Sequence, residues 1–293
     1  MLFRACPKLT MKQRVVTGII FTMVILAFVV PGYFFPYILT SFLTIVVFMG
    51  MRELISCVKT KGITPSSGLS YLGALLSLLP IVVLPFSHSP WVAISVYSLS
   101  VLMFSIIGAI LVVIVHDNEH AFIDGVSTVS MSVYLSFPIA CANIILLYFD
   151  KGWYFFVIGL FAPWISDVFA YFTGSLIGKR KIVPHISPKK TWEGCIGGAV
   201  FCSALMALFF GLVMHDVLDT SISVSSTVIF AGLGGLFISV VSQFGDWMAS
   251  AIKRWAGIKD FSNLLPGHGG ILDRFDSTLF SFPVTLVLAL IFL

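Results

Sequence analysis

Ser242 to Ser277 reads SQFGDWMASAIKRWAGIKDFSNLLPGHGGILDRFDS, and these 36 residues hold Asp246, Asp260, Asp273 and Asp276 together with Lys253, Arg254, Lys259 and Arg274. They concentrate four of the 13 carboxylates and four of the 17 Lys and Arg in a 293-residue chain that is 58% hydrophobic and 10% charged. Soluble domains carry about 25% charged residues, so the remainder of this chain, at a mean hydropathy of +1.05, does not suit a soluble globule. An apolar run enters the stretch and another leaves it, which places the charges at a membrane surface. The fold class expected is all-α, a polytopic integral membrane protein with about nine transmembrane helices and short loops, because the bilayer core tolerates no unpaired backbone and a spanning helix needs about 20 mostly apolar residues.

The nine apolar runs lie near residues 15–31, 35–56, 68–87, 91–115, 126–149, 153–177, 194–214, 224–248 and 276–293. Pro31, Gly32 and Pro36 punctuate the first boundary and Ser87 to Pro90 a later one, since proline cannot continue a hydrogen-bonded helix. The first run follows Arg4, Lys8, Lys12 and Arg14 but has no small-residue cleavage site behind it, so it reads as a retained anchor rather than a signal peptide. With nine spans, sixteen of the 17 Lys and Arg fall on one side and only Lys151 on the other. That asymmetry predicts an N-terminus and active-site loops on the cytoplasmic side of an inner membrane. The acidic loop from His116 to Asp124 falls on the same side, and acids weigh little in the rule. Residues 1–150 are expected to form a transmembrane scaffold (spans one to five). Residues 151–293 form a catalytic region (spans six to nine), with loops at 178–193 and 254–275. The net charge of +4 sits in clusters beside apolar spans and not on a basic soluble domain, so nucleic acid is not an expected partner. Cys6, Cys57, Cys141, Cys195 and Cys202 form no CxxC pair and no Cys/His cluster, which argues against a zinc site or disulfide framework.

Three features outside the opening stretch carry chemistry. Asp167 lies in GLFAPWISDVFAYFTGSLIGKRK with about a dozen mostly apolar residues on each side, and an ionisable group at that depth is costly enough to suggest function. At helical spacing it shares a face with Tyr171, Gly174 and Gly178; a helix-packing hydrogen bond is the plain alternative. In KRKIVPHISPKKTWE, Pro184 and Pro188 break any single helix. Lys179, Arg180 and Lys181 suit either topology or anionic headgroups. Lys189 and Lys190 precede Thr191, a candidate N-cap whose helix would present N–H groups and a dipole to a phosphate, and Glu193 complements the same dipole. Third, Ser239, Ser242, Gln243, Asp246, Ser250 and Lys253 recur every three or four residues, drawing a polar stripe that must face protein or water.

After Gly257 ends that helix, LLPGHGGILDRFD supplies glycines able to bring backbone N–H groups close to a ligand. Lys259, Asp260 and His268 precede the final glycines, and Asp273, Arg274 and Asp276 follow. Carboxylates without cysteine partners suit a hard cation such as Mg2+, and the Lys and Arg suit phosphates. Together they point to metal-assisted phosphoryl or nucleotidyl transfer with a lipid-embedded substrate; a salt-bridged loop is the bland alternative.

The run from Ser250 through Lys253, Arg254, Lys259, Asp260, Ser262, Leu265, Pro266, His268, Gly269, Gly270, Asp273, Arg274 and Asp276 resembles the signature of the phosphatidate cytidylyltransferase (CDP-diacylglycerol synthase) family. WISDVFAYFTGSLIGKRK, ISPKKTWEG and SQFGDW resemble that family as well, so the likeness covers roughly residues 163–280, while the N-terminal half matches only in hydropathy. The resemblance implies a reaction of CTP with phosphatidate to give CDP-diacylglycerol and pyrophosphate, dependent on Mg2+ and with a second, monovalent cation such as K+ as an option. Carried over by motif, it implies Asp246 and Asp273 as metal carboxylates supported by Asp167. Lys253 and Arg274 belong to the catalytic set. Lys189, Lys190, Ser250, Arg254, Lys259, Asp260, His268, Gly269, Gly270 and Asp276 would contact substrate. A homodimer is left open. Rival readings are a CTP-dependent lipid or polyisoprenoid kinase and, outside enzymes, an ion-coupled transporter using Asp167 and Asp246.

Overall fold

A computed structural model describes residues 11–116, 119–218 and 223–293. Arg4, Lys8 and Cys6, the side chains of Lys12 and Arg14, and Asp117 of the acidic loop lie outside the described residues. The chain forms α1 (Met11–Gly32), α2 (Pro36–Lys59), α3 (Ser67–Leu75), α4 (Leu79–Val83), α5 (Pro90–His116), α6 (Ala121–Tyr148), α7 (Gly152–Ile177), α8 (Trp192–Phe209), α9 (His215–Leu218), α10 (Val224–Ala256) and α11 (Leu272–Phe292). A 3-10 turn at Leu76–Leu78 joins α3 to α4, and a π turn at Phe210–Met214 joins α8 to α9. Among the described residues there is no β-strand, only the isolated bridges Lys181–Thr191 and Leu265–Gly269.

Among the described residues, eight helices are long and apolar enough to cross a membrane, with α8 and α9 counted together; the ninth apolar segment, Ser67–Val83, is shorter. Residues 68–87 were expected to form one span, and the difference has a local cause. Pro80 has no N–H to give and its ring crowds the carbonyl four residues back, so the helix tightens into the 3-10 turn before it. Seventeen residues at 1.5 Å each reach about 25 Å, short of a hydrocarbon core of about 30 Å. The segment nevertheless follows α6 from end to end. Thr64 donates its N–H and Oγ1 to Asp124 at the start of α6, both at 2.7 Å, and the Ser66 N–H donates to Thr128 Oγ1 at 3.0 Å. Farther along, Asn143 Nδ2 donates to the Ser77 carbonyl at 2.9 Å and Tyr148 Oη to the Pro80 carbonyl at 2.7 Å. Those last two bonds serve carbonyls at the helix break, where irregular backbone at membrane depth is tolerable only against protein.

α6 is the most enclosed of the long helices and α5 the most exposed. α7, α8, α10 and α11 pack tightly on one another, and α6 closes against α7 and α11. Within lipid, apolar burial gives helices little reason to associate, so close packing and interhelical hydrogen bonds must supply it. Phe156 stacks on Phe282 with ring centroids 5.4 Å apart, both fully buried. The polar stripe faces protein, as its spacing requires: Ser239, Ser242, Gln243 and Lys253 are buried, and Ser239 meets Ser166 of α7 through their hydroxyls. Gly245 lets α10 and α11 touch, since a Cβ there would lie 2.7 Å from the Asp276 carbonyl.

The ends of the helices sort into two faces. At one, Thr60 Oγ1 at the end of α2 donates to the Ala256 carbonyl at the end of α10 at 3.2 Å, His116 of α5 meets Asp124 of α6 at 2.8 Å, and Gly18 near the start of α1 lies against His268. At the other, Trp153 Nε1 at the start of α7 donates to the Val29 carbonyl near the end of α1. Arg52, Lys59, Lys61, the five basic residues of 179–190 and the four of 253–274 belong to the first face, and Lys151 to the second.

Candidate active site

The site is assembled at the end of α10. That helix stops at Gly257 (φ 74°), and the chain crosses to α11 through residues 258–271, a crossing held by two carboxylates. Asp273 is one of them: Oδ1 accepts from Lys253 Nζ at 2.6 Å, and Oδ2 accepts from the N–H groups of Phe261 and Gly270 at 2.9 Å each. Glu53 of α2 is the other: Oε1 accepts from Ser262 Oγ at 2.6 Å and the Ile271 N–H at 3.0 Å, and Oε2 accepts from the Leu272 N–H at 2.8 Å. Gly269 turns between them at φ 82°, a left-handed conformation that side chains disfavour. α11 begins a turn earlier than the run 276–293, so Asp273 and Asp276 both project from its first turns.

The loop between α7 and α8 forms a second wall. Thr191 is an N-cap whose Oγ1 accepts from the Gly194 N–H at 3.2 Å. The loop folds back on itself through Ile182 N–H to the Lys190 carbonyl (3.2 Å) and Trp192 N–H to the Arg180 carbonyl (2.9 Å). Glu193 closes its neck by accepting from the N–H groups of Lys179 and Arg180 at 3.1 and 3.3 Å. Arg254 Nε reaches the Ile186 carbonyl at 3.4 Å, so the end of α10 supports the loop.

Between these walls lies a cavity of about 600 Å³, of the size usual for small-molecule sites. Asp167, Asp246 and Asp276 line it together with Lys189, Lys190, Lys253, Asp260, Asp273 and Arg274. Lys190 pairs with Asp246. Burial works against the Lys190 charge, but Asp246 and Asp167 outweigh it, and the ammonium group is held above its ordinary range. Asp167 Oδ2 accepts from Ser277 Oγ at 3.3 Å, and Asp276 Oδ1 accepts from the Ser277 N–H at 2.7 Å. Five carboxylates thus line one cavity, two of them, Asp246 and Asp273, paired with the ammonium groups of Lys190 and Lys253, while the Arg274 Nε is buried without a partner.

Of the residues singled out from the sequence, Ser250, Arg254, Lys259, His268, Gly269 and Gly270 are not among the cavity-lining residues. Gly269 and Gly270 are buried in the crossing, His268 packs toward α1, and Lys259 is exposed. Asp273, read as a metal carboxylate, has both oxygens engaged by protein donors, whereas Asp276, read as a substrate contact, stands beside Asp246 and Asp167. Among the described residues no three His, Cys, Asp or Glu close on a common point as a ready metal cage. Gln243, Ser277, Tyr171 and Cys195 also line the cavity. Glu53 escaped the sequence reading although it is the only Asp or Glu in the first 116 residues, which was the available signal.

The fold is that of a multi-pass helical membrane protein, and its cavity brings cationic and anionic side chains together in a way that suits phosphate-bearing substrates. The chain belongs to the cytidylyltransferase family, which it matches over residues 12–292, and is a nucleotidyltransferase. It is 30% identical over 284 residues to the phosphatidate cytidylyltransferase of Staphylococcus aureus (strain COL), covering 95% of this chain and 98% of that one. Against the enzyme of the same name from Bacillus subtilis (strain 168) it is 32% identical over 283 residues, 96% and 98% of the two chains. Against that of Aquifex aeolicus (strain VF5) it is 36% identical over 201 residues, 68% and 70%.

Proposed function

We infer that this protein joins CTP to phosphatidate in the bilayer, giving CDP-diacylglycerol and pyrophosphate for phospholipid synthesis. The observation that carries this is the cavity whose lining brings Lys189, Lys190 and Arg274 together with Asp167, Asp246 and Asp276, in a chain similar over nearly its whole length to phosphatidate cytidylyltransferases.

An oxygen of the phosphatidate phosphate attacks the α-phosphorus of CTP. The new P–O bond forms as the bond to the β-phosphate oxygen breaks, and pyrophosphate leaves with that electron pair. The attacking oxygen is already anionic near neutral pH, so no side chain has to remove a proton. Lys189, Lys190 and Arg274 offer cationic donors to the phosphates, and Lys253, held by Asp273, lines the same cavity. Asp246, with Asp167 or Asp276 beside it in the cavity lining, suits Mg2+, which takes one or two carboxylates and completes its shell with water and phosphate oxygens. When bound, Mg2+ would offset charge developing on the departing pyrophosphate. The gathering of Lys and Arg at the site face supports placing that face in the cytoplasm, at the inner membrane.

CTP labelled separately at the α- and γ-phosphorus tests the reading with purified protein in detergent micelles containing phosphatidate. α-label is expected in lipid. γ-label in lipid instead would identify a lipid kinase, and no consumption of CTP without an ion gradient would favour a transporter.

A further inference from the structure

Glu53 is 6% exposed on α2, in the half of the chain that carries no other candidate site residue, yet its carboxylate takes three donors from the crossing that builds the site. Ile271, the residue in the N-cap position of α11, offers no side-chain cap, and Glu53 fills that office from more than 200 residues away. The N–H groups of Ile271 and Leu272 are among those that an α-helix leaves unpaired at its start, and a carboxylate there also meets the positive end of the helix dipole. The fit is close. A Cβ built on Gly270 would lie 2.6 Å from Glu53 Cδ, so the glycine leaves room for the carboxylate. The same short helix start carries Asp273, Arg274 and Asp276, which line the cavity. Thr60, two turns farther along α2, bonds the Ala256 carbonyl and fixes the same helix against the end of α10.

We propose that Glu53 is a positioning residue for the cytidylyl transfer: by capping α11 and clamping Ser262, it sets the place of Arg274 and Asp276 against Asp246. The proposal rests on the nucleotidyltransferase reading above, so parent activity with α-labelled CTP is established first; its absence would sink that reading and leave the present one without an object. The geometry makes a specific demand on pairs of substitutions. Gly270→Ala should push the Glu53 carboxylate away, and Glu53→Asp draws the carboxylate back by about one C–C bond, roughly 1.5 Å.

Each single variant in the full-length enzyme is expected to lose about tenfold or more in kcat, as misplacements of about 1 Å do. The KM for phosphatidate should change much less, and the double variant should be no worse than Gly270→Ala alone. Glu53→Gln should lose more than Glu53→Asp, and Ser262→Ala, which removes one of three donors, should lose least. Asp124→Asn supplies the comparison of a buried carboxylate remote from the cavity: it should lower the unfolding midpoint while kcat per folded enzyme stays at the parent value. The proposal fails if Glu53→Gln keeps parental kcat, or if the Glu53→Asp and Gly270→Ala losses simply multiply. It also fails if Asp124→Asn loses kcat as severely at equal destabilisation. Should Glu53→Gln not fold, the Ser262→Ala and Gly270→Ala pair decides: parental kcat in both overturns the proposal.

Discussion

Asp273 and Asp276 are three residues apart on one helix and have opposite surroundings. Asp273 is saturated by an ammonium group and two backbone donors, whereas Asp276 faces Asp246 and Asp167 and takes only the local Ser277 donors. Removing one member of a buried ion pair costs about 3–5 kcal/mol, so Asp273→Ala should depress the unfolding midpoint strongly, as Lys253 and two N–H groups lose their acceptor. Asp276→Asn should leave the midpoint near the parent's while lowering turnover and raising the Mg2+ needed for half-maximal rate. Fluorescence-monitored unfolding in micelles beside a Mg2+ titration separates the two; a Asp273→Ala enzyme as stable as the parent would contradict the assignment. Lys190 pairs with Asp246 from the loop between α7 and α8. Its pKa is raised in the folded protein, so the stability of its pair with Asp246 is fully present below the ordinary lysine value and is lost only as pH rises through the raised one. Titration of Lys190 therefore imposes no change across the neutral range.

Among the elements, the segment Ser67–Val83 is where hydropathy and geometry part. Its composition suits a span, but Pro80 shortens it, and α6 compensates through polar side chains at matched depths. Asn143→Ala and Tyr148→Phe each remove one donor to a carbonyl at the break. Each should cost about 1 kcal/mol, the usual net worth of a hydrogen bond, measured as denaturant or thermal shifts in micelles, with turnover per folded enzyme unchanged. No shift for either would mean that the broken helix does not need α6. The polar residues of α6 were invisible as partners in the sequence because a hydroxyl or amide in an apolar run does not announce which neighbouring backbone it serves.

For the whole molecule, the count of crossings decides which loops share a face. Eight long helices alone would put the start of α1 and the end of α11 on the same side; the short ninth places them on opposite sides, and gathers the loops after α2, α7 and α10 together. After Cys6 and Cys195 are replaced by Ala, single cysteines at Lys61, His185 and Asn263 should react with a membrane-impermeant thiol reagent from one side of sealed vesicles. Cysteines at Phe34 and Phe86 should react from the other. Labelling of position 61 opposite to position 263 would break the nine-crossing arrangement.

Composition and the spacing of apolar runs were enough to determine an all-α membrane protein, its approximate spans and the gathering of its basic residues on one face, because a bilayer admits few folds and penalises every misplaced charge. The polar stripe of α10 was equally legible, since its period is that of the helix. Which carboxylates share the cavity and which hold the loop was decided only by tertiary structure. Asp273 and Asp276 look alike along the chain, and their difference comes from the N–H groups and the ammonium that folding brings to one of them. Glu53 shows the same limit more sharply, because the three donors it accepts lie 209 to 219 residues away and no local pattern records that distance.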